Sequence, residues 1–256
     1  MKYLTLCTLA FLIVVVASCT KRKSPASPFL HIKDEQVKNV LEKAIARSGG
    51  WGNYKSIDSV FYKKRTVLLD SLGNVESDEV QFHKYQLNPY LGMSISWEKN
   101  REKHEIVYKE NNAKKLVNNQ LVEADSAALV RTCMSAYYVL FMPFKLLDAG
   151  VLLSYKGIAQ LPNGKEVHVI AADYDQDENK NHSTKDNWEY YFDKNTCDFV
   201  ANMVDHGDYF ALVYNEEYIV EDGLRFNAFR PSFRVNADRS HLWKRGEFFY
   251  SDFKLK

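Results

Sequence analysis

The residues that could do chemistry form small clusters, and most stop short of a working set. Asp173-x-Asp175-x-Asp177 matches the first three oxygen positions of a calcium loop. Glu178 then stands where the sharp turn needs Gly, and Thr184 where a bidentate Glu must close the shell. The stretch through Asp186 is therefore expected to be a solvated, metal-free acidic loop. His104-Glu105 begins an H-E-x-x-H pattern, but the fifth residue is Tyr108 and the context reads as a strand, which argues against a zinc protease. Asp205-His206 with Asp208 is the one compact acid/His cluster, and Gly207 inside it favours a polar turn. The sequence contains no G-x-S-x-G, no G-x-G-x-x-G and no P-loop. The expectation is a non-catalytic protein with no metal site and no cofactor.

Cys19 is the residue with a definite chemistry. It follows Val16-Ala17-Ser18 at the end of the apolar run Leu4–Ala17, with Lys2 in front. A charged start and a short apolar core make a secretory signal, too short to span a bilayer comfortably. Val16-Ala17-Ser18-Cys19 resembles the bacterial lipobox, in which a peptidase cuts before the cysteine and its thiol and new amino group are acylated. On that reading residues 1–18 are a lipoprotein signal peptide and Cys19 is the lipidation site; an ordinary signal peptide or an uncleaved anchor helix are the alternatives. Residues 19–33 then form a lipidated tether, with Lys21-Arg22-Lys23 and two prolines and no apolar periodicity. Its basic residues either gain on the order of 1 kcal/mol each on an anionic leaflet or serve solubility alone. With Cys7 in the signal, Cys133 and Cys197 remain, either paired in an oxidising compartment or serving as small core residues.

Composition calls for a β-rich body. The chain has 256 residues, 46% hydrophobic, with 16 Tyr and 15 Phe, residue types that fill strands readily. Loss of residues 1–18 removes Lys2 and no acid, taking the formal charge from +1 to zero, a balance that argues against nucleic acid as a partner. Residues 34–256 read as a single domain. Val37, Val40, Leu41, Ala44 and Ile45 recur at helical spacing behind Asp34 and Glu35, and Gly49-Gly50 supplies the stop, so a helix is predicted over Asp34–Ser48. From Ser56 the period changes to two, with turn signals at Gly73-Asn74, Asn111-Asn112, Asn118-Asn119, Asn163-Gly164 and Asp222-Gly223. These mark one long antiparallel meander, in which Tyr209–Val220 reads as a single strand.

A second helix interrupts it. Asp125 can cap Asp125–Met142, which aligns Leu129, Cys133, Ala136, Tyr137, Leu140 and Phe141 on one face before Pro143 ends it. Alternation puts Trp188, Tyr190 and Phe192 on one face of one strand, and Phe199, Ala201 and Met203 together on the next. With Tyr137, Phe141, Met142 and Phe144 they make a large aromatic and Met-containing layer. Such a layer is either packed core or the wall of a cavity.

The element order, together with YVLFMPFKLLDAG at Tyr138–Gly150 and Tyr190-Tyr191-Phe192-Asp193-Lys194-Asn195-Thr196, resembles the LolA/LolB-like envelope proteins. The likeness is nearest to lipid-anchored members from Gram-negative bacteria. It implies a mainly β (α+β) fold, a curved antiparallel half-barrel whose concave face is covered by helices. It also implies a cavity for a hydrophobic ligand such as lipoprotein acyl chains or lipid, with Tyr137, Phe141, Met142, Trp188, Tyr190, Phe192 and Met203 as its lining. The implied place is the bacterial cell envelope, lipid-anchored at the outer membrane and facing the periplasm. In the membrane-fixed acceptor of that superfamily an exposed apolar loop takes part; the nearest match is Asn88-Pro89-Tyr90-Leu91-Gly92. Two other readings stay open from the residues: an interaction module with a filled core that joins an envelope protein partner, and a hydrolase whose site follows no known motif.

Overall fold

The computed structural model describes residues 27–175, 177–178 and 186–256. The segment expected to be a signal peptide, Cys19, most of the expected tether and the middle of the acidic loop lie outside those residues. Two short helices, α1 (Glu35–Arg47) and α2 (Trp51–Lys55), lead into β1 (Ser59–Leu69), β2 (Val75–Gln86), β3 (Gly92–Lys99), β4 (Glu102–Lys109), β5 (Asn112–Val117) and β6 (Gln120–Val122). Helix α3 (Ser126–Leu140) and a 3-10 turn (Phe144–Leu147) follow. The chain then runs through β7 (Val151–Gln160), β8 (Glu166–Tyr174), β9 (Asn187–Asp193), β10 (Phe199–Asp205), β11 (Phe210–Tyr214), β12 (Glu217–Glu221), β13 (Leu224–Val235) and β14 (His241–Leu255).

All fourteen strands join one open antiparallel sheet in the order β6-β5-β4-β3-β2-β1-β14-β13-β11-β10-β9-β8-β7, with β12 also on β13. The expected single meander is thus two, sewn together where β1 pairs β14 through Val60↔Leu255 to Leu68↔Gly246. Local turn signals cannot specify that pairing, which joins strands from opposite ends of the body. The turns themselves are as the residues require: Gly73, Asn111, Asn118, Asn119, Gly164, Asp222 and Gly223 all have positive φ between consecutive strands. Tyr209–Val220 is two strands rather than one. Asn215 N–H still continues the β10 ladder, donating to Val200 O at 2.8 Å while its side-chain amide donates to Phe199 O at 3.1 Å, and the next residue turns away, Glu216 N–H donating to Phe229 O on β13 at 3.0 Å.

The helices close what the sheet leaves open. β6 and β7 are neighbours in sequence order but lie at opposite edges, so α3 carries the chain across the concave face from one edge to the other. Its 15 residues reach about 22 Å. Asp125 caps it by accepting from Ala127 N and Ala128 N at 2.9 and 3.2 Å. In α1 the five residues predicted to be buried are buried, and the capping Asp34 also accepts from Tyr155 N on β7 at 3.1 Å. Gly49 permits the docking of its far end, since a Cβ there would stand 2.2 Å from Gly223 O. Phe29 and Ile32, placed in the tether by sequence, pack against the same core from a turn closed by Leu30 N–H to Ser27 O at 3.2 Å and Ile32 N–H to Phe29 O at 3.1 Å.

Two apolar clusters result. The large one fills much of the helix-covered face, from α1 through Phe141, Leu146, Tyr190, Phe192 and Phe199 to Phe226 and Phe253. A smaller one, including Val167, Tyr191, Ala201, Met203 and Leu212, lies on the other face of the strands.

Candidate functional site

Helix α3 fills the concave face incompletely. Its stripe of Leu129, Cys133, Tyr137 and Leu140 packs into the large cluster, as the spacing predicts. The stripe of Arg131, Ser135 and Val139 instead faces a groove over the sheet, seen as two adjoining cavities of about 200 and about 600 Å³. Both are lined by Arg131, Ser135, Val139, Trp188, Asn202 and Arg230, so they are two stretches of one groove. The smaller continues over Met134, Met142, Tyr138 and Tyr190. The larger runs over β1, β2, β13 and β14 along Tyr62, Lys64, His83, Phe248 and Tyr250. Its volume falls in the range of about 300–1,000 Å³ typical of small-molecule sites.

The seven residues of the expected lining divide three ways. Trp188, Tyr190 and Met142 do line the groove, with Trp188 stacked on Tyr190 at 6.1 Å. Tyr137, Phe141 and Phe192 are absorbed into packing. Phe141 is 1% and Phe192 0% exposed, and Tyr137 lies edge-on to Phe141 at 5.3 Å under the Lys145 ammonium. Met203 is on the opposite face altogether. The cause is a bulge in β10: Phe199 pairs Phe192, but Ala201 pairs Tyr191 and Asn202 pairs Tyr190. One extra residue flips the strand's alternation, so Asn202 and Val204, not Ala201 and Met203, share the face of Tyr190 and Trp188.

Polar groups of the groove escaped the apolar reading. Tyr62, His83 and Tyr85 form a buried triangle: Tyr62 OH lies 3.0 Å from His83 Nδ1 and 2.9 Å from Tyr85 OH, and His83 Nδ1 lies 2.9 Å from Tyr85 OH. Burial, with a smaller push from Lys64, drives the His83 pKa down to about 3, so the imidazole is neutral and serves as a hydrogen-bonding group. Arg230, only 5% exposed, donates through Nε to Asn215 Oδ1 at 2.7 Å and through Nη2 to Asn202 Oδ1 at 2.9 Å. β13 carries three arginines, Arg225, Arg230 and Arg234, and nothing in their spacing says which of them the partner strands will bury.

The other clusters take local roles. Asp205 accepts from Gly207 N at 2.8 Å, the polar turn expected there, while His206 Nδ1 meets Asp186 Oδ1 at 2.8 Å. Asp175 accepts from Asp177 N at 2.9 Å, and the rest of the acidic loop is outside the described residues. His104 stacks on Trp97 at 5.3 Å. Cys133 and Cys197 are both buried and free, which decides for small core residues over a disulfide; burial pushes the Cys133 thiol up to about 12. In the β2–β3 loop, Tyr90 is 76% exposed while Leu91 packs on the core.

No family model and no curated protein matches the sequence. Solved structures do match. A DUF1329 family protein from Desulfovibrio piger aligns with a TM-score of 0.52 at 11% identity, over 86% of this chain and 93% of that one. A LolA superfamily protein from Nitrosomonas europaea aligns with a TM-score of 0.52 at 10% identity, again over 86% and 93%. The chain has the LolA-like fold. At such identity the likeness is one of architecture: a curved open sheet with a helix laid across its mouth.

Proposed function

We propose that this chain is a non-catalytic, lipid-anchored protein of the bacterial cell envelope that holds a hydrophobic ligand, an acyl chain of a lipid or lipoprotein, between α3 and the sheet. The observation that carries the reading is the groove of about 600 Å³ under α3. A filled core would have brought Arg131, Ser135 and Val139 down onto β1 and β10. Each methylene placed there gains about 0.8 kcal/mol, so a long chain offsets a large ordering cost. The LolA-like fold and the lipobox-like Cys19 supply the setting: an outer-membrane anchor, with residues 34–256 as the folded body facing the periplasm.

Two measurements test it. Replacing Cys19 with Ala is expected to move the protein from the membrane to the soluble fraction, and unchanged partitioning would defeat the anchor. The full chain with Cys19→Ala is expected to bind a fluorescent fatty acid and to lose that binding when Val139→Trp fills the groove. A protein that neither co-purifies with lipid nor binds the probe would instead be an interaction module for an envelope partner.

A further inference from the structure

Arg230 has no counter-charge. Its guanidinium carries five N–H donors, of which two are engaged, both by neutral amides. The unengaged donors all sit on the two terminal nitrogens, and Arg230 lines both stretches of the groove. No carboxylate among the described residues pairs with it. The sequence outside them, residues 1–26, 176 and 179–185, contains no Asp or Glu at all. The one acid lining the groove, Asp186, is taken by His206 at 2.8 Å. Lys64 adds a further cation to the larger stretch, whose lining holds no acid, while the exposed Arg131 at its rim is paired with Asp125 at 3.9 Å. Buried charges are ordinarily paired, since removing an ion from water is costly, and amide oxygens solvate the guanidinium without neutralising it.

Resting on the hydrophobic-ligand reading, we infer that the groove selects an acyl chain carrying an anionic head, a carboxylate or phosphate, and that Arg230 receives that head. The planar fork suits a two-oxygen anion, which would find charge-assisted donors in a site already stripped of much water. Asn202 and Asn215 act as positioning residues: both are nearly buried, and Asn215 is itself fixed to Phe199 O at 3.1 Å, so the guanidinium is held before the ligand arrives. From there the chain has an apolar path along Trp188, Tyr190, Val139 and Met142. The arrangement resembles an ion pair with one member supplied by the cargo.

The test is displacement of a fluorescent fatty acid from the full chain carrying Cys19→Ala by palmitate, by the uncharged alcohol of the same length, and by inorganic phosphate. Palmitate is expected to displace at a concentration at least about tenfold below the alcohol, and phosphate alone not at all. In Arg230→Gln the acid/alcohol ratio is expected to fall to about one. Asn202→Asp keeps the arginine and gives it a buried counter-ion; it is expected to raise the melting temperature and also abolish the ratio, and it decides the matter if the glutamine variant does not fold. A wild-type ratio near one, or a ratio unchanged in Asn202→Asp, overturns the role of Arg230 while leaving a hydrophobic groove in place. Displacement by phosphate as effective as by palmitate overturns the amphiphile and leaves a plain anion site. Failure of both palmitate and the alcohol to displace overturns the groove reading itself.

Discussion

The two ends of the interior under α3 are built from similar residues and do opposite things. Where α3 runs out, Tyr54 stacks on Phe144 at 4.6 Å, Phe141 meets Tyr54 at 5.3 Å, and Phe226 stacks on Phe253 at 4.6 Å, leaving a closed aromatic core. One helical stripe away, Arg131, Ser135 and Val139 look across open space to Arg230, His83 and Trp188. The difference lies in the polar residues at the open end. A buried arginine and a buried histidine need hydrogen bonds and some access to water or ligand, so strands that carry them resist the collapse that Phe and Leu allow. Aromatic content alone therefore does not mark a ligand wall; aromatic residues beside uncompensated polar groups do.

The contrast can be broken most directly at Phe141. Phe141→Ala at the closed end is expected to cost about 3–5 kcal/mol in a denaturant titration, whereas Val139→Ala at the open end is expected to cost under about 1 kcal/mol, because no packed neighbour loses contact. Equal costs would mean that the groove closes in solution. Next in size is a pH effect confined to the open end. His83 is neutral in the folded protein down to about 3, while the unfolded histidine takes up its proton near 6.5. Stability on this account is complete above pH 6.5 and declines by about 1.4 kcal/mol per pH unit as pH falls from 6.5 toward 3. The check is the stability difference between wild type and His83→Gln at pH 6.5 and 5.5, above the range where most carboxylates titrate; no change in that difference would place His83 in contact with water.

Smaller effects sharpen the assignment of faces. Trp188→Ala is expected to weaken fatty-acid binding by roughly tenfold, with a modest loss of stability, since it removes apolar surface from the groove wall. Met203→Leu, a swap of similar volume on the opposite face, is expected to cost under about 1.5 kcal/mol and to leave ligand affinity unchanged. A change in affinity there would contradict the β10 bulge.

Much of the local structure was legible in the residues. Asp34 and Asp125 cap the helices predicted to begin at them, Gly49-Gly50 ends the first, and the Asn- and Gly-containing turns fall between strands. Trp188, Tyr190 and Met142 line the groove, the first two because β9 alternates and Met142 at the exit of α3. Met203 was misplaced because a bulge adds a residue without any Gly or Pro to announce it. Phe141 and Phe192 were rightly placed on the inner face, but whether an inner residue meets a neighbour or a void depends on the strand opposite.

Sequence by itself determined the caps, the turns and the period of the regular elements, because each depends on residues a few positions apart. Only the tertiary structure decided that β1 pairs β14, that α3 bridges opposite edges, and that Arg230 lies against Asn202 and Asn215 without an acid. Those facts join segments far apart in the chain. Their physical basis is the register of whole strands, and a register shifted by one residue turns every side chain to the other face.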